Sequence, residues 1–373
     1  MKGNITRRGK NSWRIKFDIE GTPGIRQTRF VTVRGTKKEA QIEAAKIIAS
    51  TSNGEYVDGS KETVEGFVTR WLRDWATGNT SNKTYNRYEQ LLRLHIVPSL
   101  GSKRIQRLHA TDLQSTYAAL QREKGLAART VLHVHRCVHR MLRHAAQWGV
   151  VHQNVASLVD APSVQAAEID ILTPGEVKAV LQTLKGRPIY ALAAVALGTG
   201  MRRGEMLALR WQDVELDNAL LRVERSLEQT STHGMVFKAP KTRYGRRTIT
   251  LPPSTVAELR TLWRLQQERR LALGLGRAND GLVFAEEDGS PRSPNAVTKA
   301  WAKAMEDAGI GATLHSLRHT HASTLIASGL DVLTISRRLG HGSPAITLTV
   351  YGHLFKTDDR AAQIMEASFA GTE

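Results

Sequence analysis

The side chains best suited to chemistry in this chain are cations and a phenol, which occur in a fixed order along its C-terminal half. Arginine, lysine and histidine stabilise negative charge, and a tyrosine oxygen attacks an electrophile once its proton is removed. Several of these residues stand next to glycines, a pattern typical of turns. In chain order the candidates are Arg202, Lys241, His315, Arg318, His341 and Tyr351, with Glu205 as a supporting residue.

This set of residue types suits the cleavage of a phosphodiester, which is already anionic and gains charge when its phosphorus is attacked. Arginine is always protonated, and its planar fork grips two phosphate oxygens at once. A tyrosine hydroxyl has an ordinary pKa of about 10, so it needs nearby cations or a base to attack at neutral pH. The leaving alkoxide is strongly basic and requires a cationic acid such as Lys241.

The surrounding sequence predicts the elements that must position these residues. The segment Gly198-Thr199-Gly200-Met201-Arg202-Arg203-Gly204-Glu205 places Arg202 where one helix stops and another begins. Lys241, in Pro240-Lys241-Thr242-Arg243, is expected in a hairpin turn between two strands. His315 and Arg318 are three residues apart and share one helix face. Leu339-Gly340-His341-Gly342 is expected between two short helices.

The order and separations of these motifs resemble those of tyrosine recombinases of the phage integrase family, with no departure at any motif position. The resemblance implies that Tyr351 is the nucleophile, and that Arg202 and Arg318 clamp the scissile phosphate. It implies that His341 donates a further hydrogen bond to that phosphate. By the same resemblance, Lys241 protonates the leaving 5′ oxygen, His315 acts in proton transfer from Tyr351, and Glu205 supports the pocket.

The activity implied by this resemblance is site-specific DNA recombination. The enzyme would cleave and rejoin DNA strands through a 3′-phosphotyrosyl intermediate, and so integrate or excise a phage or another mobile element. The ester bond conserves the energy of the broken phosphodiester, so no ATP is required. The cations supply the charge stabilisation that a metal supplies in other enzymes, and we therefore expect no cofactor and no metal.

Two histidine groups have a spacing that metal ligands also use. His315 and His319 are four residues apart with His321 close by, and His135 and His139 have the same spacing on another predicted helix. The chain has no His-Glu-x-x-His pattern, and His135 and His139 have no third ligand nearby. His135 and His139 are therefore expected to be solvated or DNA-facing, and neither group is expected to bind a metal.

The charge of the chain favours a polyanionic partner. The net charge is +18 and the isoelectric point is about 10.3. The first 165 residues contain 27 basic and 13 acidic residues, which is +14 of that total. Because cations that neutralise phosphates release condensed counterions, this distribution predicts double-stranded DNA binding by modules that precede a more neutral domain.

Three domains are predicted, with boundaries at 1–58, 59–164 and 165–373. The first alternates apolar and polar residues over Ser12–Asp18, has a second strand at Arg29–Val33, and opens a helix at Thr36 with a capping box. This diffuse pattern resembles the arm-type DNA-binding domain of longer integrases. The basic residues expected to contact DNA there are Arg14, Lys16 and Arg29.

The second domain is predicted to be all-helical and resembles the core-binding domain of phage integrases. Its helices are expected at Val64–Ala76, Asn82–His95, Ala110–Glu123 and Ala127–Trp148, with an apolar stripe on the last. Phosphate contacts are expected from its exposed cations and from one residue beside Lys241. They are Lys83, Arg87, Arg93, Lys103, Arg104 and Arg243.

The catalytic domain is predicted to be mostly helical with a small antiparallel sheet, so the chain belongs to the α+β class. Thr173-Pro174-Gly175-Glu176 has the residues of a helix N-terminus, with a capping threonine and proline in the first turn. A helix is expected at Ile189–Leu197. Strands are expected at Leu220–Val223, Val236–Ala239 and Arg247–Leu251.

The cellular setting follows from absences in the sequence. A single cysteine, Cys137, excludes an internal disulfide and a cysteine-based zinc site. No run approaches the roughly 18 apolar residues of a membrane helix, and the first residues lack the apolar core of a secretory signal. We therefore expect a cytoplasmic bacterial protein associated with DNA.

The resemblance also implies an assembly. Strand exchange between two duplexes requires four protomers, so a homotetramer on DNA attachment sites is expected, assisted where needed by a DNA-bending or directionality factor. Residues 355–373 contain apolar Ile364, Met365 and Phe369. This tail is expected either to pack on a neighbouring protomer or to cap its own chain.

Alternatives from other classes make different demands on the sequence. A catalytically silent DNA-binding regulator would lack the nucleophile or a clamp arginine, and none is missing here. A type IB topoisomerase uses the same pocket, although residues 1–58 favour a phage-type recombinase. An RNA-binding protein would not need the C-terminal residue set, and residues 1–58 lack the aromatic stacking pattern of such modules.

Overall fold

The computed structural model describes residues 4–20, 26–52, 57–165, 169–240, 243–276, 280–355 and 361–370. The chain divides into two compact units, residues 1–165 and 166–373. Both combine helices with small antiparallel sheets, and most of the described residues are helical. The predicted α+β class is therefore confirmed.

The N-terminal part of the first unit is a three-stranded antiparallel sheet in the order β1-β2-β3, followed by helix α1. Their bounds are β1 Asn4–Gly9, β2 Ser12–Glu20, β3 Arg26–Arg34 and α1 Lys37–Ser52. Ile15 and Phe17 of β2 are buried with Ala44 and Ile47 of α1, as the alternation predicts. The polar strand β1 carries no alternating signal and was not predicted. The predicted turn at Gly21, Pro23 and Gly24 lies outside the described residues.

The register of this sheet separates its basic residues between two faces. Arg14 and Lys16 alternate with the buried Ile15 and Phe17, so they point away from helix α1. Arg29 pairs with Phe17 across the strands and therefore belongs to the face that α1 covers. Its guanidinium forms an ion pair with Asp58 at 3.0 Å. The register therefore places Arg29 on a different face of the sheet from Arg14 and Lys16, and its contact with DNA stays a prediction.

The rest of the first unit is helical. Its main helices are α2 Val64–Trp71, α4 Asn82–His95, α5 Val97–Leu100, α6 Ala110–Arg122 and α7 Ala128–Gln147. The predicted stripe of α7 is buried in full, with Val131, Val134, Val138, Met141, Leu142 and Ala145 in one core. The segment predicted as one helix, Val64–Ala76, consists of α2 followed by a π-helical segment, Leu72–Ala76. It continues into a short helix α3, Thr77–Asn79. In that wide turn the Thr77 hydroxyl donates to the Leu72 carbonyl at 3.0 Å.

The second unit packs its helices around three short β-pairings. Its helices are α8 Pro174–Leu184, α9 Tyr190–Thr199, α10 Arg203–Leu207, α11 Pro253–Ala272, α12 Pro294–Asp307, α13 Leu314–Ala327, α14 Val332–Leu339, α15 Pro344–Tyr351 and α16 Ala361–Ala370. Its strands are β4 Val214–Glu215, β5 Leu220–Val223, β6 Ser226–Thr230, β7 Gly234–Lys238 and β8 Arg247–Thr250. Helix α8 begins with the predicted capping box of Thr173 and Glu176. Within the described ranges, no helix is long and apolar enough to cross a membrane.

The strands flanking Lys241 belong to different sheets. Strand β7 pairs with β6, whereas β8 pairs with β5. The connection from β7 to β8 is therefore a crossover, and the expected hairpin turn at Lys241 is wrong. The true hairpin joins β6 to β7, and β6 was missed because Ser226–Thr230 is polar. Lys241 itself lies outside the described residues, as does the side chain of Arg243.

Candidate active site

The break between helices α9 and α10 positions Arg202. Helix α9 ends at Gly200, whose φ of 65° is left-handed, and Arg202 occupies the N-cap of α10. A Cβ on Gly200 would lie 2.6 Å from His321 Cδ2 and 2.8 Å from Leu339 Cδ2. The glycine is needed both for its backbone conformation and for this close approach.

Glu205 is a buried carboxylate held between two arginines, and it is only 4% exposed. It accepts from Arg202 Nη1 at 2.8 Å and from Arg247 Nη2 at 2.9 Å. The Arg202 backbone N–H also donates to it at 3.0 Å. Burial alone would raise the pKa of Glu205, but the charges and hydrogen bonds of Arg247 and Arg202 hold it below its ordinary value. Glu205 is therefore the buried anion between Arg202 and Arg247.

Three arginines donate to three successive backbone carbonyls at the C-terminal end of helix α14. Arg247 Nε donates to the Arg338 carbonyl at 2.7 Å, and Arg318 Nη2 donates to the Leu339 carbonyl at 2.8 Å. Arg202 Nη2 donates to the Gly340 carbonyl at 3.2 Å. These carbonyls lie at a helix end and have no partner within the helix, so they favour cations. The same contacts fix the guanidinium planes.

Arg318 also joins this helix end to the end of helix α9. Its Nη1 donates to the Gly200 carbonyl at 2.5 Å, and the residue is 3% exposed. Burial, together with the like charge of Arg202, lowers the pKa of Arg318 to about 9. The side chain thus remains a cation at neutral pH in a region shielded from water, where charge acts most strongly.

His341 follows directly after the row of carbonyls. Its backbone N–H donates to the Ser336 carbonyl at 3.0 Å, and its Nδ1 is hydrogen-bonded to the Thr347 hydroxyl at 2.8 Å. Burial and the charges of Arg318 and Arg202 lower the pKa of His341 to about 4. The ring is therefore neutral at neutral pH. With Nδ1 engaged, Nε2 is the nitrogen that can serve a phosphate oxygen.

Tyr351 lies at the last residue of helix α15 and is 1% exposed. Its hydroxyl is hydrogen-bonded to His319 Nδ1 at 2.8 Å. Burial raises the pKa of Tyr351, and the charges of Arg318 and Arg202 oppose that effect. The phenol is therefore protonated at neutral pH, and the charges of Arg318 and Arg202 act on it.

His315 is exposed and lies beside this hydrogen bond. Its ring meets the ring of His319 edge to face, with centroids 4.6 Å apart. The resemblance implies that His315 acts in proton transfer from Tyr351, and the structure shows that the side chain hydrogen-bonded to the Tyr351 hydroxyl is that of His319. The reason is helical geometry, because His319 lies about one turn further along α13 and closer to Tyr351.

Three side chains that support this cluster were not predicted from the sequence: Arg247, Arg338 and His321. Arg247 is buried against Glu205, and Arg338 donates through Nε to His321 Nε2 at 3.0 Å. His321 Nδ1 in turn is hydrogen-bonded to the Leu197 carbonyl at 2.7 Å, which makes it the protonated nitrogen of a neutral ring. Arg338 also donates to the Gly198 carbonyl at 3.0 Å. The sequence contained one signal for these residues. His321 lies three residues after Arg318 and therefore shares a helix face with it.

The close approach at Gly200 leads to a stability prediction. We expect Gly200→Ala to destabilise the protein by at least about 1 kcal/mol more than Gly309→Ala. Gly309 has a nearly identical φ of 66°, but a Cβ added there would meet nothing within 4 Å, so it reports only the left-handed strain of about 1–2 kcal/mol. Thermal and urea unfolding of the two variants measure the difference. Equal losses would show that the contacts with His321 and Leu339 relax freely.

The cations expected to contact DNA in the first unit are surface residues with varied local partners. Lys16, Lys83 and Arg104 are exposed. Arg14 stacks on Phe30 at 3.9 Å. Arg29 is paired with Asp58 as described above, and the remaining three pair with neighbouring side chains: Arg87 with Gln90 at 2.8 Å, Arg93 with Glu89 at 2.5 Å and Lys103 with Asp112 at 2.5 Å. The exposed pairs are worth little, so a phosphate can compete for their cations, whereas the pair of Lys103 with Asp112 is half-buried.

The histidines with metal-like spacing have other partners. His135 is buried and meets the Tyr117 ring edge-on at 5.6 Å, and His139 Nε2 is hydrogen-bonded to the Ser157 hydroxyl at 3.1 Å. Among the residues that the structure describes, no group of three or more histidine, cysteine or carboxylate side chains could hold a metal ion.

Comparison with known proteins identifies relatives along most of the chain. The model of the Phage integrase family matches residues 170–358, and the model of its N-terminal SAM-like domain matches residues 63–121. An integrase of Streptomyces ambofaciens is 31% identical, over 85% of this chain and 82% of its own length. A tyrosine recombinase XerC-like protein of Caldanaerobacter subterraneus is 27% identical, over 95% of each chain.

Solved structures share the fold. The Tn1549 transposon integrase in complex with transposon right-end DNA has a TM-score of 0.67 and 19% identity, covering 83% of this chain and all of that one. A lambda integrase dimer bound to a COC′ core site has a TM-score of 0.59 and 16% identity, covering 96% and 95%. At these identities the likeness concerns the fold alone.

Proposed function

The chain belongs to the phage integrase family, whose members are tyrosine recombinases that cleave and rejoin DNA, and from that premise we propose the part that each residue takes. The observation that carries the proposal is the hydrogen bond of the buried Tyr351 hydroxyl to His319, the residue next to Arg318, whose guanidinium donates to the same row of carbonyls as that of Arg202. A scissile phosphate bound to those arginines is placed for attack by the phenol oxygen.

Each proposed role follows from the contacts of the side chain. Arg202 and Arg318 hold two nonbridging oxygens, because the carbonyl row fixes both guanidinium groups. Neutral His341 donates a hydrogen bond from Nε2. Glu205 keeps Arg202 extended into the pocket. Preorganised donors of this kind stabilise the charge that develops on the phosphorane, and each is worth about 10²–10³-fold in rate.

Two proton transfers complete the reaction. The proton of Tyr351 leaves through the histidine pair formed by His315 and His319, whose rings are in contact. Lys241 gives a proton to the departing 5′ oxygen. The products are a 3′-phosphotyrosyl bond and a free 5′ hydroxyl. Attack on that ester by a 5′ hydroxyl of another strand restores a phosphodiester and releases Tyr351.

We propose that three domains divide the work of binding, with boundaries at 1–58, 59–164 and 165–373. Separate hydrophobic clusters support the first boundary, since Ile15 and Phe17 belong to a different core from that of helix α7. The sheet face with Arg14 and Lys16 suits an arm site. The helical domain, with Lys83, Arg87 and Arg104, suits the core site beside the scissile phosphate, and Arg243 adds a contact from the catalytic domain.

Recombination between two duplexes requires four copies of the chain, so we propose a homotetramer on double-stranded attachment sites in the bacterial cytoplasm. Accessory DNA-bending or directionality factors belong to the same proposal. Helix α16 of the tail exposes Met365 and Phe369, and these apolar side chains suit a contact with a neighbouring protomer.

A recombination assay tests this function. Two plasmids carrying the DNA that flanks the gene and its intact chromosomal target are mixed with purified protein, and the joined products are sequenced. We expect recombinants at one defined site with the wild type and none with Tyr351→Phe, which removes the nucleophilic oxygen alone. Relaxation of supercoiled DNA regardless of sequence would instead indicate a topoisomerase. DNA binding without strand exchange under all conditions would indicate a silent regulator.

A further inference from the structure

The hydrogen bond between Tyr351 and His319 joins the proposed nucleophile to a side chain outside the set of motif residues. The tyrosine oxygen lies 2.8 Å from His319 Nδ1, within the range over which a proton passes directly from an O–H to a nitrogen. The ring centroids of the two residues are 5.6 Å apart, with an interplanar angle of 62°. His319 is half-buried on helix α13, directly after the clamp residue Arg318.

Asp170 is an acidic residue that interacts electrostatically with His319 from a neighbouring segment. Asp170 belongs to the segment that leads into the catalytic unit, and that segment is attached to α13 beside His319. The Leu172 backbone N–H donates to the Thr320 hydroxyl at 2.9 Å. Ile169 packs against the apolar cluster that contains Tyr351. Asp170 itself is exposed and interacts electrostatically with His319.

We propose that His319 accepts the proton of Tyr351 during strand cleavage and that Asp170 acts as its positioning residue. The inference deepens the proposed function and rests on Tyr351 being the nucleophile. In the step, the Tyr351 oxygen forms a bond to phosphorus while its proton passes to the lone pair of His319 Nδ1. The bond from phosphorus to the 5′ oxygen breaks, and that oxygen takes a proton from a separate acid.

The charges around His319 suit a base that must be neutral before the step and cationic after it. Burial and the charge of Arg318 lower the pKa of His319, whereas Asp170 raises it. The ring is thus unprotonated at neutral pH, and a carboxylate is present to stabilise the imidazolium once it forms. The titratable groups facing it are Arg318 and His315 from its own helix, Tyr351 from α15, and Asp170.

Single-turnover cleavage tests the assignment. The substrate is a nicked duplex of the site mapped by recombination, and the readout is the covalent protein–DNA band. We expect His319→Ala to slow band formation about 10²-fold or more, with DNA affinity and melting temperature close to those of the wild type. Added imidazole should restore part of the rate in His319→Ala and none in Tyr351→Phe.

The pH profile separates a proton acceptor from a structural residue. The wild-type rate should fall as acid protonates His319, and this acidic limb should be absent from the unrescued His319→Ala enzyme. Asp170→Asn removes the carboxylate that raises the pKa of His319, so its limb should move to lower pH. Because Asp170 is exposed, we expect Asp170→Asn to fold normally. Its pH profile therefore tests the assignment even if His319→Ala does not fold.

Several results would overturn the inference. A wild-type or faster rate in His319→Ala would mean that the hydrogen bond only holds the tyrosine at rest. An acidic limb that persists in His319→Ala and disappears in His315→Ala would make His315 the acceptor. If the acidic limb of the pH–rate profile lies at the same pH in Asp170→Asn and in the wild type, Asp170 is not the positioning residue of His319. In each case a covalent band that Tyr351→Phe abolishes would leave the proposed function intact.

Discussion

Arg318→Ala should slow strand cleavage by about 10²–10³-fold or more while leaving DNA binding within a few-fold of the wild type. In the proposed mechanism the residue contributes a donor pair to the scissile phosphate, and in the structure it links the ends of helices α9 and α14 through the Gly200 and Leu339 carbonyls. Its loss therefore removes charge stabilisation and loosens the turn that carries His341. Single-turnover formation of the covalent complex, beside a gel-shift titration, measures the two effects separately.

Arg337→Ala is the matched control for that experiment. Arg337 lies on the last turn of helix α14, the helix end that Arg318 of helix α13 contacts, and its side chain is exposed. We expect cleavage close to the wild-type rate in this variant. Arg318→Lys keeps the positive charge and loses the two-pronged geometry, so it should remain much slower than the wild type. Full activity in Arg318→Lys would show that the position requires only charge and would contradict the clamp.

Glu205→Ala should produce the largest loss of stability, about 3–5 kcal/mol, because it leaves buried Arg247 without its anionic partner. For a unit of this size, the loss corresponds to a fall in melting temperature of about 10 °C. Calorimetry or circular dichroism provides the measurement. Asp217→Ala is the control, since its ion pair with Arg260 is exposed and worth less than about 1 kcal/mol. Similar losses in the two variants would contradict a buried charge cluster.

The same carboxylate predicts a dependence of stability on acid. The pKa of Glu205 in the folded protein lies below its ordinary value of 4.5. Its contribution is therefore complete above that pH and is lost as the pH falls through the lower, folded-state pKa. Glu205→Gln cannot titrate, so it should lose stability less steeply than the wild type as the pH falls below 4.5. An identical slope in both proteins would place the acid sensitivity elsewhere.

Local features of this fold could be predicted from the sequence because local rules determine them. Helix α4 has its predicted bounds, Asn82–His95, because Ser81 caps its first turn. The buried stripe of α7 follows from helical periodicity alone. The capping box at Thr173 likewise needs only residues three apart. The break between helices α9 and α10 at Arg202 was predicted from the glycines on either side of Arg202 and Arg203.

The remaining features depend on contacts between segments that are far apart in the sequence. Local sequence patterns do not reveal those contacts. The pairing of β8 with β5 rather than β7 removed the hairpin expected at Lys241. The register of β2 against β3 turned Arg29 away from Arg14. The carbonyl row joins arginines to residues 21 to 138 positions away along the chain. The hydrogen bond from Tyr351 to His319 spans 32 positions, so local sequence patterns did not reveal it, and the family resemblance implied a role for His315 instead.

Covalent attachment of Tyr351 to DNA can be observed by mass spectrometry of the trapped protein–DNA complex. A nicked substrate of the mapped site is incubated with the protein, the trapped complex is digested with protease and nuclease, and the nucleotide-bearing peptide is sequenced by mass spectrometry. We predict a single modified peptide in which Tyr351 carries a nucleotide through its 3′ phosphate. A nucleotide attached to any other residue, or cleaved DNA with no protein attached, would contradict the assignment of Tyr351 as the nucleophile.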